Sequence, residues 1–173
     1  MITLLKTLSS TRVLVILGIL FLAFNAVIPQ FLPKDYALDL RFAYSKAEAC
    51  YLLSQLSFEQ ISDYKFGLLA LDMPYLLTYS LFFGCLLFRL WGNSLIVVAP
   101  FLAALADFSE NVSVYRILNS LPSEADHLFL WASVSSTTKW IFVVILFSGV
   151  FGGILRKILS KKSAIVNSQE IKI

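Results

Sequence analysis

Apolar positions gather into four long stretches along the chain. Between Arg12 and Lys34, Lys65 and Arg89, Arg89 and Arg116, and Asp126 and Arg156, the sequence runs almost uncharged for 21, 23, 26 and 29 residues. A bilayer core takes about 20 apolar residues of helix. The pattern therefore predicts an all-α protein, a bundle of four transmembrane helices over about 11–28, 66–90, 94–118 and 127–155. Two prolines, Pro29 and Pro33, end the first helix, because proline lacks the amide hydrogen that helix continuation needs.

The segment after Pro33 carries two helix-start signals. Ser45 with Glu48, and Ser57 with Gln60, both have the spacing of a capping box, in which a hydroxyl and a side-chain carbonyl satisfy amides of the first turn. The first predicts a short interfacial helix over about 45–56 in the first external loop, with Ala49, Leu52, Leu53 and Leu56 on one face. A plain connector packed on the bundle fits the same pattern. The second start runs straight into the second long helix, from about Phe58 to Leu90. Trp91, Gly92 and Asn93 make a turn, Trp91 lying at the depth where aromatic anchors gather. Pro122 breaks the chain again, and Ser123 with Asp126 recaps it. Residues 156–173 form a basic tail whose polar end has the composition of a disordered segment.

Composition agrees with the pattern: 58% of residues are hydrophobic, 14% are charged, and the mean hydropathy is +0.80. These values exclude an ordinary water-soluble domain. About 70 residues remain for loops and ends, too few for a separate catalytic domain of ~50 contiguous residues. The first stretch is read as a retained helix, since cleavage after Ala26 would put Phe24 where a small residue is required. Cys50 and Cys85 show no metal or redox spacing.

Cations outside the apolar stretches set the orientation. Lys6, Arg12, Arg89, Arg156, Lys157, Lys161, Lys162 and Lys172 face one acid, Glu170, on one side. The other side has Lys34, Arg41, Lys46, Lys65 and Arg116 against Asp35, Asp39, Glu48, Glu59, Asp63, Glu124 and Asp126. The first side is predicted to be cytoplasmic, with both termini inside a cytoplasmic (inner) membrane. The sides carry +7 and −2, so a formal net charge of +3 leaves −2 within the apolar stretches.

That charge resides in Asp72 of the second stretch, Asp107 and Glu110 of the third, and Lys139 of the fourth. Ionisable groups in hydrocarbon are costly and face protein or water. At a rise of about 1.5 Å per residue, Asp72 lies roughly 9 to 20 Å from the outer end of its helix, Asp107 and Glu110 about 12 to 17 Å, and Lys139 about 18 Å. The groups share one layer. Asp107, Glu110 and Asn111, at i, i+3 and i+4, project from one helix face, which Pro100, Ala103 and Ala104 continue with small side chains. Asp72 shares its face with Tyr75 and Tyr79, whose hydroxyls can donate to a carboxylate, and Lys139 shares its own with Ala132, Ser135 and Ser136. The predicted polar layer is thus Asp72, Tyr75, Tyr79, Asp107, Glu110, Asn111, Ser135, Ser136 and Lys139, with Lys139 bridged to Asp107 or Glu110 and the remaining acids protonated, sharing a proton or holding a cation. Three roles fit it: a joint that fixes helix register, a pocket for membrane lipid, a lipid-soluble ligand or a cation, and acid-base chemistry on a lipid.

Gly149 and Gly153 form a GxxxG that packs tightly within the monomer or between copies in a homo-oligomer. The basic cluster after it suits anionic lipid and an orientation anchor, not nucleic acid. Asn111-Val112-Ser113 matches a glycosylation sequon inside a predicted membrane helix, a chance match. His127 stands alone, so no metal site is expected, and no cofactor motif is present.

Tyr44-Ser45-Lys46-Ala47-Glu48-Ala49, Tyr64, Leu71-Asp72-Met73-Pro74-Tyr75 with Tyr79, Leu105-Ala106-Asp107-Phe108-Ser109-Glu110-Asn111 and Thr138-Lys139-Trp140 together resemble a group of small four-span bacterial membrane proteins. The resemblance covers most of the chain and implies a common plan for the polar set, but it brings no substrate. Pro74-Tyr75-Leu76-Leu77-Thr78-Tyr79 and the span count are similar to the EXPERA group of sterol isomerases and sterol-binding proteins. Their acidic and histidine positions do not map onto Asp107, Glu110 and Asn111, so the similarity transfers no catalytic role. The expectation is a non-enzymatic membrane protein whose polar layer organises the bundle and binds a lipid-soluble or cationic ligand. An acid-base enzyme on a membrane lipid and a small proton- or cation-coupled transporter are the alternatives.

Overall fold

Helix starts leave amide hydrogens without partners, and serine meets that need at three places here. Ser10 accepts from the Val13 amide at the start of helix α2 (Thr11–Val27), and Ser45 accepts from Glu48 at 3.2 Å at the start of α3 (Lys46–Ser54). At α4 (Phe58–Phe66) the box is complete: Ser57 Oγ accepts from the Gln60 amide at 3.2 Å, and Gln60 Oε1 accepts from the Ser57 amide at 2.9 Å. The Ser45 box is only half made, because Glu48 turns to Arg41 at 2.9 Å instead.

The computed structural model describes residues 2–32, 35–120 and 126–170, with side chains over 5–32, 35–120 and 126–161. Pro33, Pro122 and the Ser123 to Asp126 recap signal lie wholly or partly outside the described residues. The described part is helical, with no strand. A short helix, α1 (Ile2–Leu8), precedes the first long one and buries Leu5. After α4 come α5 (Met73–Trp91), α6 (Ala99–Ser120) and α7 (Asp126–Glu170). Four helical runs are long and apolar enough to cross a membrane: Thr11–Gln30, Phe58–Trp91, Leu95–Ser120 and Asp126–Lys161.

α7 departs from expectation at its far end. The helix passes through the basic cluster to Glu170, where the sequence suggested a disordered tail. Propagation adds one backbone hydrogen bond per residue to an existing helix, so a long helix carries a polar segment that could not nucleate one.

The second run is not a uniform α-helix. Between α4 and α5, Gly67–Asp72 form a π-helical turn, and the Met73 amide reaches back to the Leu68 carbonyl. The extra residue per turn rotates the upstream half of the helix relative to the downstream half. Pro74, which has no amide hydrogen to give, follows directly. Asp72 therefore stands at the junction between the two phases.

α6 and α7 form the closest helix pair, α5 packs on both, and α2 packs mainly on α5. Aromatic contacts fasten α2: Phe21 stacks on Tyr75 and on Phe82 at 5.8 and 5.7 Å between ring centres and meets Phe83 edge-on at 5.3 Å. Two apolar cores result. One joins Leu38, Tyr44, Ala49, Leu52, Leu53, Tyr64, Leu68, Val114 and Ala132; the other joins Leu5, Leu76, Phe83, Leu87, Ala103 and Leu146. Along α6 and α7 the polar positions fall between the two, and in the second run Asp72 does, between Leu68 and Leu76. α3 turns Ala49, Leu52 and Leu53 toward the first core.

Gly149 and Gly153 are packed from within the chain. A side-chain carbon on Gly149 would come within 2.7 Å of Ile96, and one on Gly153 within 2.7 Å of Trp91 and 2.8 Å of Leu90. The Trp91 indole donates to the Gly149 carbonyl at 2.8 Å, and the Arg156 guanidinium lies 5.4 Å from the Trp91 ring centre. Trp91 thus acts as a clasp between α5 and α7.

Candidate functional site

Lys139 is the centre of the polar layer. Its ammonium donates to Asp107 Oδ1 at 3.1 Å and to the Asp39 backbone carbonyl at 2.8 Å, and lies 2.6 Å from Glu110 Oε2. The Glu110 contact is ionic, at an angle that misses a hydrogen bond, and Glu110 Oε1 has no partner. Lys139 therefore takes both acids that the sequence offered as alternatives. Buried charges persist only when paired this closely.

Around this centre each of the three aspartates has its own donor. Tyr79 donates to Asp107 Oδ2 at 3.2 Å, Asn111 makes a short hydrogen bond to Asp72 Oδ2, and Tyr64 donates to Asp39 Oδ1 at 2.7 Å. Tyr64 also accepts from the Leu38 amide at 3.0 Å, so one phenol orders both the backbone and the acid of the 35–45 segment. Tyr75 exchanges hydrogen bonds with Asn25 of α2.

The sequence-derived set divides in two. Asp72, Tyr75, Tyr79, Asp107 and Lys139 line a cavity of about 550 Å³ between α2, α5 and α7. Glu110, Asn111 and Ser136 are fully buried behind it. Ser135 donates to Ser109 at 3.1 Å across α6 and α7, while Ser136 makes a short hydrogen bond to the Arg41 carbonyl. The second group holds helices and loop together and does not reach the cavity.

Asp39 was counted with the acids of the external side and given no place in the polar layer, and the structure draws it in. It is only 7% exposed and lines the cavity with Leu40. Moving it inward makes the charge of the layer −3 in place of −2. The loop that carries it is anchored on α7: Ser133 Oγ accepts from the Tyr44 amide at 3.0 Å, and Thr137 donates to the Phe42 carbonyl at 3.0 Å. The buried Tyr44 phenol is pushed well above its ordinary range, first by burial and then by the nearby Glu110 and Asp39 carboxylates. Asn25 was also missed, and Tyr64 and Trp140 entered only through the resemblance, without a role. The one local signal for Asp39 was its place between Leu38 and Leu40, an acid isolated among apolar neighbours.

Beyond the polar floor the cavity is apolar, walled by Phe21, Ile28, Phe83, Val143, Leu146 and Phe147. α2 and α7 face each other across it without close packing. The gap between them makes a lateral cleft, apolar at the sides and charged at its end. Comparison with known protein families, curated proteins and solved structures finds no match to the chain.

Proposed function

We propose that the chain is a multi-pass protein of the cytoplasmic membrane, both termini inside, that holds a lipid-soluble or cationic ligand in this cavity without catalysing a reaction. The observation that carries the proposal is the cleft between α2 and α7, whose apolar walls end on Asp72, Asp107 and Lys139. Its volume lies in the range of small-molecule sites, about 300–1,000 Å³. An apolar tail entering from hydrocarbon would meet Phe83, Leu146 and Phe147, and its head the charged floor.

Membrane insertion is supported by the exposed apolar side chains of Val15, Ile16, Ile19 and Leu22 on α2 and of Ile141, Val144, Phe147 and Phe151 on α7. Surfaces of that extent do not suit water. The cation excess around Arg12, Arg89 and Arg156 supports the orientation. α3 would then rest at the outer interface, its apolar face on the bundle and Tyr51 outward. A binding role, not a catalytic one, is supported by the mutual locking of Lys139, Asp107 and Glu110, which leaves neither acid free to exchange protons with a guest. The same locking organises the bundle.

Native mass spectrometry of the protein extracted gently from its membrane tests the proposal. A small-molecule adduct is expected on the wild type and absent from Val143→Trp, which fills the cleft. Bare protein in both would overturn it.

A further inference from the structure

The chemistry left open at the cavity floor identifies the head group the site takes. Among the polar groups that the cavity leaves accessible, the imbalance is all of one kind. An ammonium has three protons; Lys139 gives one to the Asp39 carbonyl and one to Asp107, and its remaining side lies 2.6 Å from Glu110 Oε2, turned away from the cavity by that ion pair. The Tyr79 hydroxyl is given to Asp107, and the Asn25 amide protons go to the Phe21 carbonyl at 2.7 Å and to Tyr75 at 3.1 Å. The Trp140 indole N–H is unpaired but covered. Apart from the acids themselves, the floor has no accessible donor left for a guest.

Acceptors are in surplus. Asp72 and Asp39 are 8% and 7% exposed, and both line the cavity. Among the described residues only Asn111 donates to Asp72, through Oδ2, and only Tyr64 donates to the Asp39 carboxylate, through Oδ1. Each carboxylate keeps one oxygen without a protein donor. Four acids, Asp39, Asp72, Asp107 and Glu110, stand around one ammonium. Buried carboxylate oxygens without partners are costly, so a guest that brings donors and positive charge is favoured and one that brings a carboxylate or phosphate is repelled.

The walls narrow the choice. Tyr75 and Tyr79 lie with ring centres 5.2 Å apart beside these acids, and aromatic faces attract organic cations within about 6 Å. Among the described residues no three acids, histidines or cysteines are grouped closely enough to hold a metal ion. We infer that the cavity selects a lipophilic organic cation: an ammonium head set between Asp72 and Asp39 and an apolar tail in the cleft between α2 and α7. This rests on the ligand-binding reading above and names its ligand class.

The experiment offers the purified protein, in an uncharged detergent, an equimolar mixture of dodecylamine, dodecanol and dodecanoate. The three share a tail and differ only in the head. Native mass spectrometry is expected to show the amine bound at least tenfold over either competitor. Asp72→Asn, which keeps shape and removes charge, should lose that preference while its melting temperature stays high enough for a folded protein. Asp126→Asn, which removes an acid paired with Lys46 away from the cavity, should keep it. Equal binding of amine and alcohol, or preference for the carboxylate, would overturn the cation inference and leave a ligand cavity standing. Absence of all three adducts would overturn both. The wild-type ranking decides the matter even if Asp72→Asn fails to fold.

Discussion

Lys139 and Asp39 are 100 residues apart in the chain, and the ammonium of the first donates to the backbone carbonyl of the second at 2.8 Å. The lysine thereby neutralises acids on α6 and fastens the loop between the first two long helices. One side chain links the helix pair α6–α7 to the rim of the cavity.

Removing that charge should be severe. Lys139→Met leaves Asp107 and Glu110 buried and unpaired, a loss of about 3–5 kcal/mol for breaking a buried pair. Thermal unfolding in detergent should show a large drop, partly restored when Asp107→Asn and Glu110→Gln are added. An unchanged melting temperature would mean that the three charges are not coupled in the folded protein.

Tyr64 should matter beyond its size. Tyr64→Phe strips the donor from Asp39 and the acceptor from the Leu38 amide, with a cost of about 1–3 kcal/mol for buried groups left unsatisfied. Limited proteolysis should then cut within residues 35–45 faster than in the wild type. Equal cutting rates would show that the loop is held without this phenol.

The glycines of α7 should separate by position. Gly149→Ala and Gly153→Ala drive a methyl into Ile96 or into Trp91 and Leu90, an overpacking cost of about 1–3 kcal/mol each. Gly152→Ala meets only Trp91, at 3.5 Å, and should change stability by less than about 0.5 kcal/mol, as surface changes do. Melting curves of the three variants, with oligomeric state recorded beside them, check this.

Orientation can be read on intact cells. In a Cys50→Ser background, Glu59→Cys should react with an impermeant maleimide from outside, and Asn93→Cys only after the membrane is opened. Both side chains are exposed. The reverse labelling would invert the assigned topology.

Much of the site was legible because its ionisable and amide side chains interrupt long apolar runs at helical spacing. Asp107, Glu110 and Asn111 sit at helical spacing on α6, and Lys139 follows Ser135 and Ser136 on α7, so their convergence could be read from periodicity and depth. The division of that set could not. Whether Glu110 faces the cavity or lies behind Asp107 depends on how α6 is rotated against α7. That rotation is decided by side-chain packing across the pair, with no trace in either helix alone.

Neighbours within a few turns were enough for the four long apolar helices, the serine starts at Ser45 and Ser57 and the existence of a polar layer: continuous apolar runs, capping spacings, ionisable groups where hydrocarbon should be. The tertiary structure alone decided that Asp39 joins the layer, that a π-turn stands directly before the junction at Asp72, and that a cleft remains between α2 and α7. Those features depend on contacts between segments tens of residues apart, where the energy of burial is shared among partners that no local pattern names.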